Sequence, residues 1–415
     1  MKRIAFIAGL LFFSVFTSLS QNNAGYVTCG SGVKYQYFGT YDAAKINKIF
    51  TTELEAFLTG SPMPASEFMG KFAVPKYPVK LYKVMYRTFV PEWNNQPTMA
   101  TGMIAVPETG KDSMPLLSYQ HGTVFEKNSV PSVIEECMEY KLMVGQFAAQ
   151  GYIVFGADYI GLGKESDLPN AYIIQKSTEQ ACVDMLQATK DVLQHLKLKS
   201  GPLFINGWSQ GGYNTMTYLR KLEELNIPVM AATTASAPTD VAAMVNRWLN
   251  NYQPGDAIWL TGAASNLIFS FERYYQMPNF ASYVIRPEYY QAAKDFADFK
   301  IDYPTLATKI PGKIADYFNP EFMKTGNVAT AQFWKILENS QACRWRCHTP
   351  LINYYGESDE VIPVFMGTLA EGYHKLMGGG SNTKAISAGV KADHRATHVY
   401  SVIHTKAWFD SFLKK

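Results

Sequence analysis

The 415-residue chain is poor in cysteine, with five in all, and an odd number cannot close into a complete set of intrachain disulfides. A scaffold held mainly by disulfides is therefore excluded, and apolar burial must carry the fold. Charge is sparse as well: 18% of residues are charged and the formal net charge is +3. No basic cluster offers a footprint for nucleic acid, so none is expected as a partner. There is no internal repeat and no low-complexity tract. Long apolar runs are missing except near the start, where residues 4–16 form one too short to span a bilayer. No stable membrane anchor is expected.

That single run reads as a targeting segment. Lys2 and Arg3 precede it, and Ser18-Leu19-Ser20 gives a small-x-small site before Gln21. Residues 1–20 are expected to be a signal peptide cleaved near Ser20/Gln21, with the mature protein secreted or periplasmic. Cys29 follows Tyr26-Val27-Thr28, a poor context for a lipid anchor. Cys182 shares a helical spacing with Met185, Thr189, Val192 and Leu196 and reads as buried and unpaired. Cys343 and Cys347 could bridge or bind metal; the adjacent His348 invites a zinc reading, but no second ligand pair accompanies them and zinc sites usually need four ligands.

The chain is rich in apolar residues, 47% of the total, enough for a sizeable core. Four zones can be distinguished. Residues 21–78 form an N-terminal lead-in with a helix over 41–57, stopped by Gly60-Ser61-Pro62. Residues 79–240 alternate strands (81–90, 100–106, 116–119, 152–157, 203–206, 229–235) with helices (133–149, 178–198, 211–225). That alternation predicts a mostly parallel sheet covered by helices on both faces. Residues 241–347 break it; they are helical in pattern and aromatic, and read as a cap inserted before the sheet resumes in 348–415. Most of the cap's aromatics must build its own core, but Phe269, Phe271 and Tyr274 are expected to contribute to a substrate pocket.

One stretch carries chemistry. Gly207-Trp208-Ser209-Gln210-Gly211 is a G-x-S-x-G motif between an apolar strand and a helical pattern. A serine in a sharp strand-to-helix turn projects its hydroxyl clear of the sheet, and the Gln210 amide then faces the place where an oxyanion would form. A nucleophilic serine needs a base and an orienting acid. Asp359 is the acid candidate, just beyond the apolar run 351–355, with Glu357 and Glu360 as neighbours and rivals. A solvated turn is the alternative for all three. His398 is the base candidate, placed in a loop before a closing helix expected over 399–413. His394, in the same loop, is its competitor. Leu116-Leu117-Ser118-Tyr119-Gln120-His121-Gly122-Thr123 ends a strand in a glycine loop, where the Thr123 N–H is the choice for second oxyanion donor. His121 there is read as structural.

With these motifs in place, the chain resembles the α/β-hydrolase superfamily. Within it, the chain is similar to the secretory lipases of the lipase A type. The resemblance rests on Ser118–Thr123, on Asp158-Tyr159-Ile160-Gly161-Leu162-Gly163, on the serine turn and on Ser236-Ala237-Pro238-Thr239-Asp240. It spans about residues 80–415 and departs at Thr123, near which those lipases commonly carry an acid. It implies an α/β-hydrolase fold with a helical cap, and a carboxylic ester hydrolase acting through Ser209, Asp359 and His398 on a small or lipid-like ester. Such chemistry requires neither metal nor organic cofactor. Two alternatives stay open: a carbohydrate acetyl or feruloyl esterase, and an aminopeptidase of the same fold. The latter would need acids for an amino terminus, and the cap offers Asp295, Asp298 and Asp302. A non-catalytic binding protein is disfavoured by the complete set of triad candidates.

Overall fold

The computed structural model describes residues 25–324, 327–378 and 382–414. The expected signal peptide lies outside these residues. Among them, no helix is long and apolar enough to cross a membrane.

Ten strands form one sheet: β1 (Val27–Cys29), β2 (Val33–Tyr41), β3 (Val79–Val90), β4 (Gln96–Pro107), β5 (Ser113–Gln120), β6 (Ile153–Ala157), β7 (Lys199–Trp208), β8 (Ala231–Ala235), β9 (Leu351–Tyr355) and β10 (Thr383–Ser387). Their order is β1-β2-β3-β4-β6-β5-β7-β8-β9-β10. The first four strands, and the β4–β6 pair, are antiparallel. From β6 to β10 every pairing is parallel. The two halves read differently in sequence for a physical reason. β3 alternates buried and more open positions, as an antiparallel strand covered mainly on one face does. β6 and β8 are buried at every position, as parallel strands between two helical layers must be.

Two apolar layers sandwich the parallel half, and neighbouring residues on one strand feed opposite layers. Leu116 and Ile205 join the layer beneath the helices Gln175–His195 and Gln210–Glu224. Leu117 and Phe204 join the layer beneath Met138–Gln146 and His394–Leu413. This is the period of two of an extended chain. The cap inserts between β8 and β9 as a set of helices, the longest being Leu260–Tyr274. Its buried residues are continuous with the first layer, so it is fused to the sheet by a shared core.

The N-terminal segment does more than lead in. β1 and β2 extend the sheet at its antiparallel edge. The expected helix over 41–57 is present as one helical run, Ala43–Lys48, a wide π turn at Ile49–Glu53, and Leu54–Phe57. Asp42 starts it by accepting the Lys45 amide at 2.8 Å.

The strand order reverses around β5, which has β6 on one side and β7 on the other. In open parallel sheets a crevice forms beyond the carboxyl ends of the strands at such a reversal. The loop after β5, the turn after β7 and the turn after β9 all open there.

Candidate active site

Ser209 joins β7 to the helix Gln210–Glu224 with φ +58° and ψ −124°, a conformation strained for any residue with a Cβ. The flanking glycines hold it there. A Cβ on Gly207 would collide with the Gly211 carbonyl, and one on Gly211 with the Gln120 carbonyl. The Ser209 amide donates to Ala235 O at 2.9 Å, tying the turn to β8. The hydroxyl therefore stands at the head of the helix, beside the first amides of Gln210–Glu224.

His394 Nε2 lies 2.9 Å from Ser209 Oγ, and His394 Nδ1 lies 3.0 Å from both Asp359 carboxylate oxygens. The three side chains thus form one hydrogen-bonded line. Asp359 is fixed by accepting the Val361 and Ile362 amides at 2.9 Å each. Its rivals are engaged elsewhere: Glu357 accepts the Ser387 hydroxyl, and Glu360 accepts the His394 amide. Burial alone would push the Asp359 carboxyl up; the His394 imidazole and the donated hydrogen bonds outweigh it and hold the carboxyl below its usual range. Burial pulls the His394 pKa down, but Asp359, Glu360 and Asp393 together raise it above the ordinary value.

The histidine beside Ser209 is His394, and the expectation that placed His398 there is not met. The closing helix begins five residues earlier than expected, at His394, because Asp393 caps it by accepting the Ala396 amide at 2.8 Å. His398 then falls one turn farther along the helix. It is fully buried, stacked on the Trp208 ring at 4.7 Å, with Phe57 and Tyr119 nearby. Neither ring nitrogen has a partner among the described residues. Burial and then the neighbouring His394 charge push its pKa down to about 3, so it is neutral. The missed signal was the Asp-His-Arg-Ala sequence at 393–396, a helix start with the acid at its head.

The glycine loop after β5 is held from several sides. Tyr159 donates to His121 O at 3.0 Å, and the Gly122 amide donates to Glu139 at 2.7 Å. His121 is buried with its ring nitrogens on backbone carbonyls of Gly122 and Asp158, as a structural histidine. Thr123 Oγ1 meets Tyr172 OH at 2.9 Å. Thr123 and Ser209 line the same cavity, of about 410 Å³.

That cavity is built differently from expectation. The cap contributes Trp259 and Tyr303 to it, and the loop after β5 adds Phe125. Phe269, Phe271 and Tyr274 do not line it; Phe269 and Phe271 are buried within the cap, Phe271 against Phe333, and Tyr274 stacks on Trp93 in the connection between β3 and β4. An apolar cavity between the cap helices and Tyr172 and Ile173 measures about 20 Å³, room for little more than one water. The N-terminal segment also reaches the cavity through Thr59, Gly60 and Ser61, which no local motif announced. Glu360, Asp393 and Arg395 supply charge at its wall. Of the cap acids considered for an amino terminus, none lines this cavity. Asp298 pairs with Arg273 and Lys294, Asp295 with Lys300, and Asp302 caps its own helix. All five cysteines are free and buried, including Cys182.

A family model described as serine aminopeptidase, S33 matches residues 130–367, more than half of the chain. The chain belongs to that family. Among solved structures, a provisionally assigned hydrolase from Legionella pneumophila matches with a TM-score of 0.78 at 21% identity, covering 92% of this chain and 98% of the other. The rice cell wall degrading esterase LipA from Xanthomonas oryzae matches with a TM-score of 0.73 at 20% identity, covering 94% and 98%. Candida antarctica lipase A in its closed state matches with a TM-score of 0.63 at 15% identity, covering 81% and 78%. No curated protein matches in sequence. The chain is a hydrolase of the α/β-hydrolase fold. At these identities the neighbours speak for the fold, and the chemistry has to be argued from the site.

Proposed function

We propose that this chain is an exported serine hydrolase that cleaves carboxylic esters through an acyl-enzyme. The observation that carries the reading is the line from Ser209 Oγ through His394 to Asp359, at 2.9 and 3.0 Å. Ser209 Oγ attacks the ester carbonyl carbon while His394 Nε2 takes its proton. Asp359 keeps the Nδ1 proton facing itself and stabilises the imidazolium. The amides of Gln210 and Thr123 receive the oxyanion. The intermediate collapses as His394 returns the proton to the departing alcohol. Water, activated by the same imidazole, then releases the acid and restores Ser209.

Ester cleavage is favoured over peptide cleavage by the fate of the cap acids, which are spent on cations and a helix cap. Two of the structural neighbours are an esterase and a lipase by name, which supports the same side. The cavity has the volume of a small-ligand site, with aromatic walls and a charged rim. It suits a short acyl group or a polar alcohol better than a long chain. The aminopeptidase reading has one observation behind it beyond the family description: the carboxylates of Glu360 and Asp393 at the cavity wall. Turnover of p-nitrophenyl esters against aminoacyl p-nitroanilides separates the two. Faster ester turnover is expected, and a preference for the anilides would overturn the ester reading. The export part rests on the leader pattern at residues 1–20, and N-terminal sequencing of the mature protein tests it.

A further inference from the structure

An oxyanion donor works only if its amide is already aimed when charge develops. A loop carrying Gly122 has no stiffness of its own to guarantee that. A buried carboxylate reaches it from below. Glu139 stands in the first turn of Met138–Gln146, within the apolar layer under the sheet. Its Oε2 accepts the Gly122 amide at 2.7 Å and the Tyr119 hydroxyl at 2.7 Å. Tyr119 belongs to β5 itself, so one oxygen ties the loop to the strand that launches it. The fit leaves no slack: a Cβ on Gly122 would lie 3.1 Å from Glu139 Oε1 and 3.2 Å from the Trp208 ring. The Gly122 amide is turned down onto Glu139, and the next residue, Thr123, lines the cavity it shares with Ser209.

We propose that Glu139 is a positioning residue for the oxyanion loop, holding the Gly122 peptide so that the Thr123 amide faces the reacting carbonyl. This rests on the reading of Ser209 as nucleophile. Placing a carboxyl in an apolar layer is costly. Burial pushes Glu139 up to about 7, against the pull of the Gly122 amide, the Tyr119 hydroxyl and the His394 charge. The two bonds it makes offset that cost and fix the loop in one geometry.

The test compares Glu139→Leu, Glu139→Gln and Glu139→Asp with wild type on a p-nitrophenyl ester, after titrating active sites with a fluorophosphonate. Losing an oriented oxyanion donor costs about 10²–10³ in rate, so Glu139→Leu should lose kcat on that scale per titrated site. KM should change little, because the contact forms only in the transition state. Glu139→Gln keeps an acceptor oxygen at the same reach and should recover most of the rate. Glu139→Asp keeps the charge but withdraws the oxygen, and should not. Affinity for a boronic acid that mimics the tetrahedral state should fall in parallel with kcat. If Glu139→Leu does not fold, the Gln and Asp variants carry the test. Equal kcat per site in these two, within about threefold of wild type, would overturn the proposal. So would a Glu139→Leu protein whose lost activity is matched by lost active sites alone. Wild type that neither labels at Ser209 nor turns over an ester would instead defeat the reading of the site itself.

Discussion

His394 and His398 sit one helical turn apart, and their surroundings assign them opposite work. His394 has a carboxylate on one nitrogen and the serine hydroxyl on the other. His398 has no partner on either nitrogen among the described residues and lies flat on Trp208. His394→Ala should therefore lower kcat/KM as severely as Ser209→Ala, and the double variant should be no worse than either, because the two act as a unit. His398→Phe should stay within about tenfold of wild type, since it replaces one buried planar ring by another. Steady-state kinetics on the four variants checks both statements. The acid limb of the pH profile follows from the same residue. His394 must be neutral to accept a proton, and its carboxylate neighbours raise its pKa above 6.5. Activity should thus fall as pH drops through a midpoint above that value. Asp359→Asn removes the nearest of those charges, so the limb should move to lower pH while kcat falls by about 10⁴. A limb that stays in place would mean another group controls it.

At the scale of elements, the strand-to-helix turn depends on backbone contacts that only glycine permits. Gly211→Ala would drive a methyl into the Gln120 carbonyl, so the turn and the loop after β5 must part. The expected outcome is a loss of both melting temperature and activity, read by calorimetry and ester turnover; a variant as stable as wild type would show that the turn yields. The same close contact explains what local sequence disclosed. The serine turn, the glycine loop and the acid turn each follow a strand whose apolar run is visible, and each is punctuated by glycine. Asp359 was legible for that reason. The base was not, because the helix start depended on weighing Asp393 as a cap against a loop that would have delivered His398. Glu139 was illegible altogether: a carboxylate inside an apolar helical pattern declares its role only when the loop above it is folded.

At the scale of the whole molecule, the sheet, its layers and the inserted cap were readable as a change in alternation along the chain, but the walls of the cavity were not. They come from segments hundreds of residues apart: 59–61 at the N-terminal side, Trp259 and Tyr303 in the cap, and Arg395 on the last helix. Only the closed fold brings these together. Phe269 and Phe271, conspicuous in the sequence, pack the cap instead, and Tyr274 joins it to Trp93 and Pro169. Phe271→Ala should accordingly cost about 3–5 kcal/mol of stability, measured by denaturant titration, and leave ester preference unchanged. Trp259→Ala and Tyr303→Ala should do the reverse, shifting KM across a series of acyl lengths with little loss of stability. The central claim is that His394 activates Ser209, and the rate of fluorophosphonate labelling, with the adduct mapped by mass spectrometry, tests it most directly. The account predicts one adduct, on Ser209, formed at least about 10³-fold more slowly in His394→Ala and at near wild-type rate in His398→Phe. An adduct elsewhere, or undiminished labelling in His394→Ala, would contradict it.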